Sequence, residues 1–237
     1  DLSEGTAASA REARRDSRDL RIFGLVPAAK KASIGLALGL AYDKDEANTR
    51  TTNTPFSIDY QTADPDWWKV QIRGDGYARV ASSGSSTLSG IADLNLSLLH
   101  PLAEGLVGAV GLKLPTHGDV GSSSGGQSLK LAYSGSMVGP WSYVVLGAVK
   151  RANSSQSGTS RFSQTLYAEI DYAIDSSHTL LAGLSRTNRR GVGGSTELAI
   201  EYDFPLTSTV GAAASVGRGL TSGARHTSVE FDLTYRF

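Results

Sequence analysis

The last ten residues of the chain constrain it most. Val229, Phe231, Leu233, Tyr235 and Phe237 alternate with Ser228, Glu230, Asp232, Thr234 and Arg236, and the alternation holds to the final residue. In an extended strand a period of two puts the first set on one face and the second on the other. Such a strand has two options. Its apolar face covers a soluble core and its charges meet water, or its apolar face meets lipid and its charges line a polar interior.

The same period recurs from residue 32 onward. Ile34, Leu36, Leu38, Leu40 and Tyr42 oppose Ser33, Gly35, Ala37, Gly39 and Ala41. Phe56, Ile58 and Tyr60 oppose Ser57, Asp59 and Gln61, and Leu198, Ile200, Tyr202 and Phe204 oppose Glu197, Ala199, Glu201 and Asp203. About twelve strand segments can be marked in this way, an ordinary number for a barrel. Short turns (64–66, 101–105, 139–140, 175–178, 207–209) alternate with longer polar links (43–54, 82–88, 117–126, 152–160, 187–195, 218–226). Trp67, Trp68, Trp141, Tyr172, Tyr202, Phe204, Tyr235 and Phe237 gather near the short turns, and Tyr42, Phe56 and Phe162 near the long links. Unequal loops and aromatic girdles predict an all-β fold, a transmembrane antiparallel up-and-down β-barrel over residues 32–237. An open sheet edge in lipid would strand backbone groups, so the last strand is expected to pair with the first. An even strand count then puts both termini on the short-turn side, the periplasm in a bacterial outer membrane. The terminal Phe237 behind alternating aromatics resembles the signal such proteins present to the barrel assembly machinery.

Composition narrows the rest. No apolar run reaches the ~20 residues of a membrane-spanning helix. The formal net charge is +0 and there is no cysteine, which argues against nucleic acid as partner and excludes a disulfide framework or thiolate metal site. His100, His117, His178 and His226 are dispersed, so neither a metal nor a cofactor is expected. His226 and Ser228 share a strand face and could serve a lipid hydrolase, but no third residue orients the histidine, and the chain reads as a non-enzyme.

The strand parity predicts a lumen of two walls. Lys69, Arg73, Arg79, Lys113 and Lys130 form a basic wall; Glu169, Asp171, Glu197, Glu201, Asp203, Glu230 and Asp232 form an acidic one. Such walls either orient a small polar or zwitterionic solute or pair across a filled interior. Residues 1–31 differ in composition, being rich in Ala, Arg and Asp. They read as a short charged helix that is either a solvated tail or a plug whose Arg11, Arg14, Arg15, Arg18 and Arg21 meet the acidic wall.

One stretch carries a family resemblance. "SGIADLNLSLLHPL" followed by "GAVGLKLPTHGD" (about residues 89–119) resembles the "G-x-G-D-x-x-L" and "K-L-P-T-G-D" segments of outer-membrane channel proteins associated with phenol-degradation (meta-cleavage) pathways. Ala92 stands for the second Gly of the first motif, and His117 interrupts the second. The resemblance implies a channel without fixing its solute; together with the charged walls it gives the expectation of an outer-membrane channel for small polar, zwitterionic or aromatic solutes. The alternative is a structural or secretion-accessory barrel with a closed lumen.

Overall fold

The computed structural model describes residues 14–15, 32–45, 48–63, 68–82, 86–117, 119–120, 124–153, 161–189, 193–221, 224 and 227–237. They form thirteen strands: β1 (Ser33–Lys44), β2 (Arg50–Gln61), β3 (Lys69–Ala81), β4 (Leu88–Gly90), β5 (Leu94–Ala103), β6 (Leu106–Leu114), β7 (Gly126–Ser136), β8 (Trp141–Ala152), β9 (Phe162–Ala173), β10 (Thr179–Arg189), β11 (Gly193–Pro205), β12 (Val210–Gly219) and β13 (Thr227–Arg236). Every pairing is antiparallel, and most run between sequence neighbours. β4 and β5 both pair with β3, one beyond the other, so together they make one stave of a closed twelve-stave barrel.

Closure rests on the terminal strands. β13 pairs with β1 from Gly35↔Arg236 to Lys44↔Thr227, and the Phe237 N–H donates to the Ile34 carbonyl at 3.0 Å. The β2–β3 pairing completes the ring, so β13 lies inside the sheet between β12 and β1, while the short β4 is paired on one side, with β3.

Burial is inverted relative to a soluble domain. Outward Leu38, Val110, Leu166 and Ile200 are each more than half exposed, while inward Lys69 is 1% and Glu230 2% exposed. Apolar outside and charged inside is the arrangement a bilayer demands of a strand. Paired rings concentrate around the short-turn rim: Trp68 with His100 at 4.2 Å, Trp141 with Tyr172 at 4.8 Å, Tyr202 with Phe204 at 5.3 Å and Tyr235 with Phe237 at 4.4 Å. Trp67 lies outside the described residues.

The short turns carry their own chemistry. Gly105 has φ +70°, where a side chain would also strike the Ser134 carbonyl. Asp175 accepts the Ser177 N–H at 2.8 Å and faces His178 Nδ1 at 2.8 Å; the Ser177 amide first, then His178, holds its carboxyl well below the usual range.

Two expectations need correction. The long link 43–54 is mostly strand, because Asp45 Oδ1 accepts the Thr49 N–H at 2.8 Å and closes the β1–β2 connection early. Arg79 does not face the lumen. The β2–β3 register shifts between Asn53↔Ala78 and Pro55↔Asp75, so Gly76 and Tyr77 together oppose Thr54. Thr54 Oγ1 accepts the Tyr77 N–H at 2.8 Å, which fixes this bulge. The extra residue reverses the side-chain phase: Ala78 is buried inside, and Arg79 turns out beside Thr52.

Candidate functional site

The site is the lumen, and its clearest feature runs across β9–β13. Register places Asp171, Leu181, Glu201, Ser215 and Glu230 along one row of the sheet. The neighbouring row holds Glu169, Gly183, Ala199, Gly217 and Ser228. Acids thus sit on β9, β11 and β13, while β10 and β12 present mostly small or neutral side chains between them. Asp171, Glu201 and Glu230 are each 2% exposed and Glu169 3%.

These carboxylates are held. Arg14, 3% exposed, donates from its terminal Nη2 to Glu230 Oε2 at 2.6 Å, and its Nε lies 3.5 Å from Glu201 Oε2. Arg15 Nε donates to Glu230 Oε1 at 2.6 Å and its Nη2 makes a further ion pair with the same oxygen. The Tyr167 hydroxyl donates to Glu169 at 2.5 Å, Ser228 Oγ to Glu197 at 3.3 Å, and Ser142 Oγ to Asp171 at 3.3 Å. Two arginines that belong to no strand, the helical residues Arg14 and Arg15, therefore seat on the acids of this wall. A buried carboxylate cluster requires such partners, since uncompensated charge in a confined interior is costly. Asp203 and Asp232 lie on the same wall nearer the short-turn end, sharing Ala213 as ladder neighbour. Arg11, Arg18 and Arg21 lie outside the described residues, as does His226.

The other wall is built differently. Lys69 and Lys130 are buried, while Arg73 and Lys113 face inward half-buried. Two of these cations meet acids of the same wall: Lys69 Nζ is 3.2 Å from Asp59 Oδ2, and Lys113 Nζ is 2.7 Å from Asp93 Oδ2. Sequence reasoning missed these partners, together with inward Lys150 and Arg189. It also missed an apolar lining: Leu99, Val107, Ala109, Ala132, Leu146, Ala148 and Tyr167 form a buried cluster on the inner face of β5–β9.

The two segments that carry the family resemblance meet in space. Asp93 stands at the break between β4 and β5, accepts the Thr116 N–H at 3.1 Å and pairs with Lys113; Thr116 Oγ1 donates to the Ile91 carbonyl at 3.0 Å. The acid of the first motif thus anchors the lysine and threonine of the second, and His117 follows with φ +58°.

Among solved structures, the COG4313 outer membrane channel from Pseudomonas putida F1 is 17% identical, with 87% of this chain and 96% of that chain covered at a TM-score of 0.69. The beta domain of the Bordetella autotransporter BrkA is 14% identical, covering 87% and 98% at 0.60. The KdgM porin, solved with disordered oligogalacturonate, is 12% identical, covering 86% and 99% at 0.52. No protein-family model matches the chain, and no curated protein matches it by sequence. The fold is that of outer-membrane β-barrels, shared with channels and porins.

Proposed function

We propose that this chain is an outer-membrane channel for small polar, zwitterionic or aromatic solutes, with residues 1–31 acting as a plug that limits passage through the barrel of residues 32–237. Both termini are read as periplasmic, and the terminal strand as the segment recognised during barrel assembly. The single observation that supports the plug is the seating of Arg14 and Arg15 on Glu230 and Glu201 inside the lumen. The channel class is supported by the fold shared with channels and porins and by the family resemblance of residues 89–119.

Two unlike walls suit the proposed solutes. The acidic wall attracts a cationic end, lysines opposite attract an anionic one, and the cluster around Leu99 and Leu146 accepts an apolar body. The test is single-channel conductance in planar bilayers, with and without residues 2–21. Deletion is expected to raise conductance and reduce its noise while assembly persists. Unchanged conductance would refute the plug.

A second reading has its own support. The same apolar cluster, with Leu146 at 0% exposure, can close the lumen, giving a structural or secretion-accessory barrel. No conductance from either form would favour it.

A further inference from the structure

The outer surface of the barrel is asymmetric in charge. Every Asp and Glu of the described strands points inward, while Arg50, Arg79, Arg151, Arg186 and Arg218 are exposed on the outward face. All five lie at the long-loop ends of β2, β3, β8, β10 and β12. The short-turn rim carries the paired aromatics instead.

Three cations on this face are neighbours. Lys44 ends β1 and stands directly opposite Arg50, the first residue of β2. Arg50 pairs with Ala81 and Thr52 with Arg79, so Arg50 and Arg79 are diagonal neighbours, roughly 7–8 Å apart by sheet geometry. Tyr42, Thr52 and Tyr77 lie on the same outward surface. Like charges directly opposite each other destabilise a sheet. The β1–β2 connection supplies Asp45 among its described residues, and that carboxylate is engaged by the Thr49 N–H. Arg79 is there only because the Gly76–Tyr77 bulge turns it out of the lumen.

A cationic cluster that costs stability by itself, on the outward face at the long-loop rim, calls for an anion from the membrane. We propose that Lys44, Arg50 and Arg79 form a binding site on the outside of the barrel for the phosphate groups of lipid A in the outer leaflet. Guanidinium forks match phosphate oxygens bidentately, and Tyr42 and Tyr77 offer amphipathic rings to the sugar and acyl boundary. Clustered basic side chains at a membrane surface read anionic headgroups in the same way. The inference rests on the outer-membrane reading above and deepens it, because it ties the long-loop rim to the leaflet that carries the phosphorylated glycolipid.

The test has two arms. In detergent, native mass spectrometry compares retention of bisphosphorylated and dephosphorylated lipid A by the full chain, by R50Q/R79Q and by the lumen control K150Q. Removing the phosphates or both arginines is expected to weaken binding at least tenfold, and K150Q to leave it unchanged. Equal binding of the two lipids, or full binding by R50Q/R79Q, would overturn the site. Inorganic phosphate that competes as well as lipid A would show a general anion site and overturn the lipid assignment. In vesicles, urea unfolding compares phosphatidylcholine with and without lipid A. R50Q/R79Q is expected to unfold at an equal or higher midpoint in phosphatidylcholine alone and at a lower one when lipid A is present. A lower midpoint in both would mean the arginines are merely structural. A wild-type chain that inserts into neither vesicle would defeat the membrane reading, and the detergent arm would still decide the site.

Discussion

The ion pairs described on the two walls of the lumen are made by different routes. On β2–β8 the partners are strand or near-strand neighbours: Asp59 holds Lys69 and Asp93 holds Lys113. On β9–β13 the described cations that hold Glu230 and Glu201 lie far away in sequence and outside the sheet, at Arg14 and Arg15. A lysine anchored in a strand cannot follow its charge into water without breaking the sheet. An arginine outside the sheet has no ladder to hold it back. The pairs Lys69–Asp59 and Lys113–Asp93 are therefore fixed in or beside the sheet, whereas the pairs made by Arg14 and Arg15 are the kind a gate would use. This difference predicts different responses to the same kind of substitution.

The largest effect is expected at the fixed pairs. Asp59→Asn removes the carboxylate beside Lys69, which is 1% exposed and locked in β3. Breaking a buried pair while the other charge stays buried costs roughly 3–5 kcal/mol. Urea unfolding of the vesicle-inserted barrel measures it, and conductance noise should not change. Slightly smaller and equal effects are expected on the outside, where the two halves do not differ. Arg at Leu96 in β5 or at Ile200 in β11 enters hydrocarbon from either half, at roughly 2–4 kcal/mol near the midplane. Arg at Asn95, which faces the lumen, should be much milder. A large difference between Leu96 and Ile200 would mean the halves differ outside as well.

Next in size is Gly183→Ala on β10. An added Cβ there would collide with the Tyr167 ring and hydroxyl, and that hydroxyl holds Glu169. Tyr167 is 2% exposed and has little room to swing away. Overpacking of this kind costs roughly 1–3 kcal/mol. A neutral result would show that the acidic wall tolerates repacking around Tyr167.

How much of this was legible in the sequence depends on how local the signal is. Strand alternation fixes which face is apolar, and it located the staves, the closing pair β13–β1 and the inward acids Glu169, Glu201 and Glu230. It failed for Arg79, because a bulge adds one residue and reverses the phase; the glycines of "RGDGYAR" at 74 and 76 were the available warning. It was also silent on Leu146, since "YVVLGAV" is a continuous apolar run with no polar phase to read. The pairings Lys69–Asp59 and Lys113–Asp93 depend on register between strands, which composition does not encode. Arg14 was one of five equivalent arginines in the sequence, and nothing local distinguishes it from Arg11 or Arg18.

The smallest effect on stability is expected where the bonding is most elaborate. Glu230 accepts from both Arg14 and Arg15, so contact geometry alone would rank Glu230→Gln above Asp59→Asn. The comparison of the walls predicts the reverse. Once Glu230 is neutral, the arginines can withdraw to water and recover their hydration, because they belong to no strand, and the water that enters in their place solvates Glu201, which Arg14 also faces at 3.5 Å. The cost of the substitution is then capped by the free energy of seating the segment. What remains is the loss of charge-assisted hydrogen bonds, roughly 1.5–3 kcal/mol each, offset by the solvation that Arg14 and Arg15 regain. A net change of about 1 kcal/mol or less follows in urea unfolding. Single-channel records should change far more, moving toward those of the chain lacking residues 2–21. If Glu230→Gln instead destabilises the barrel as much as Asp59→Asn and leaves conductance alone, Arg14 is a fixed part of the interior. The acidic wall would then be a core built from charges, and the closed-lumen reading would replace the gate.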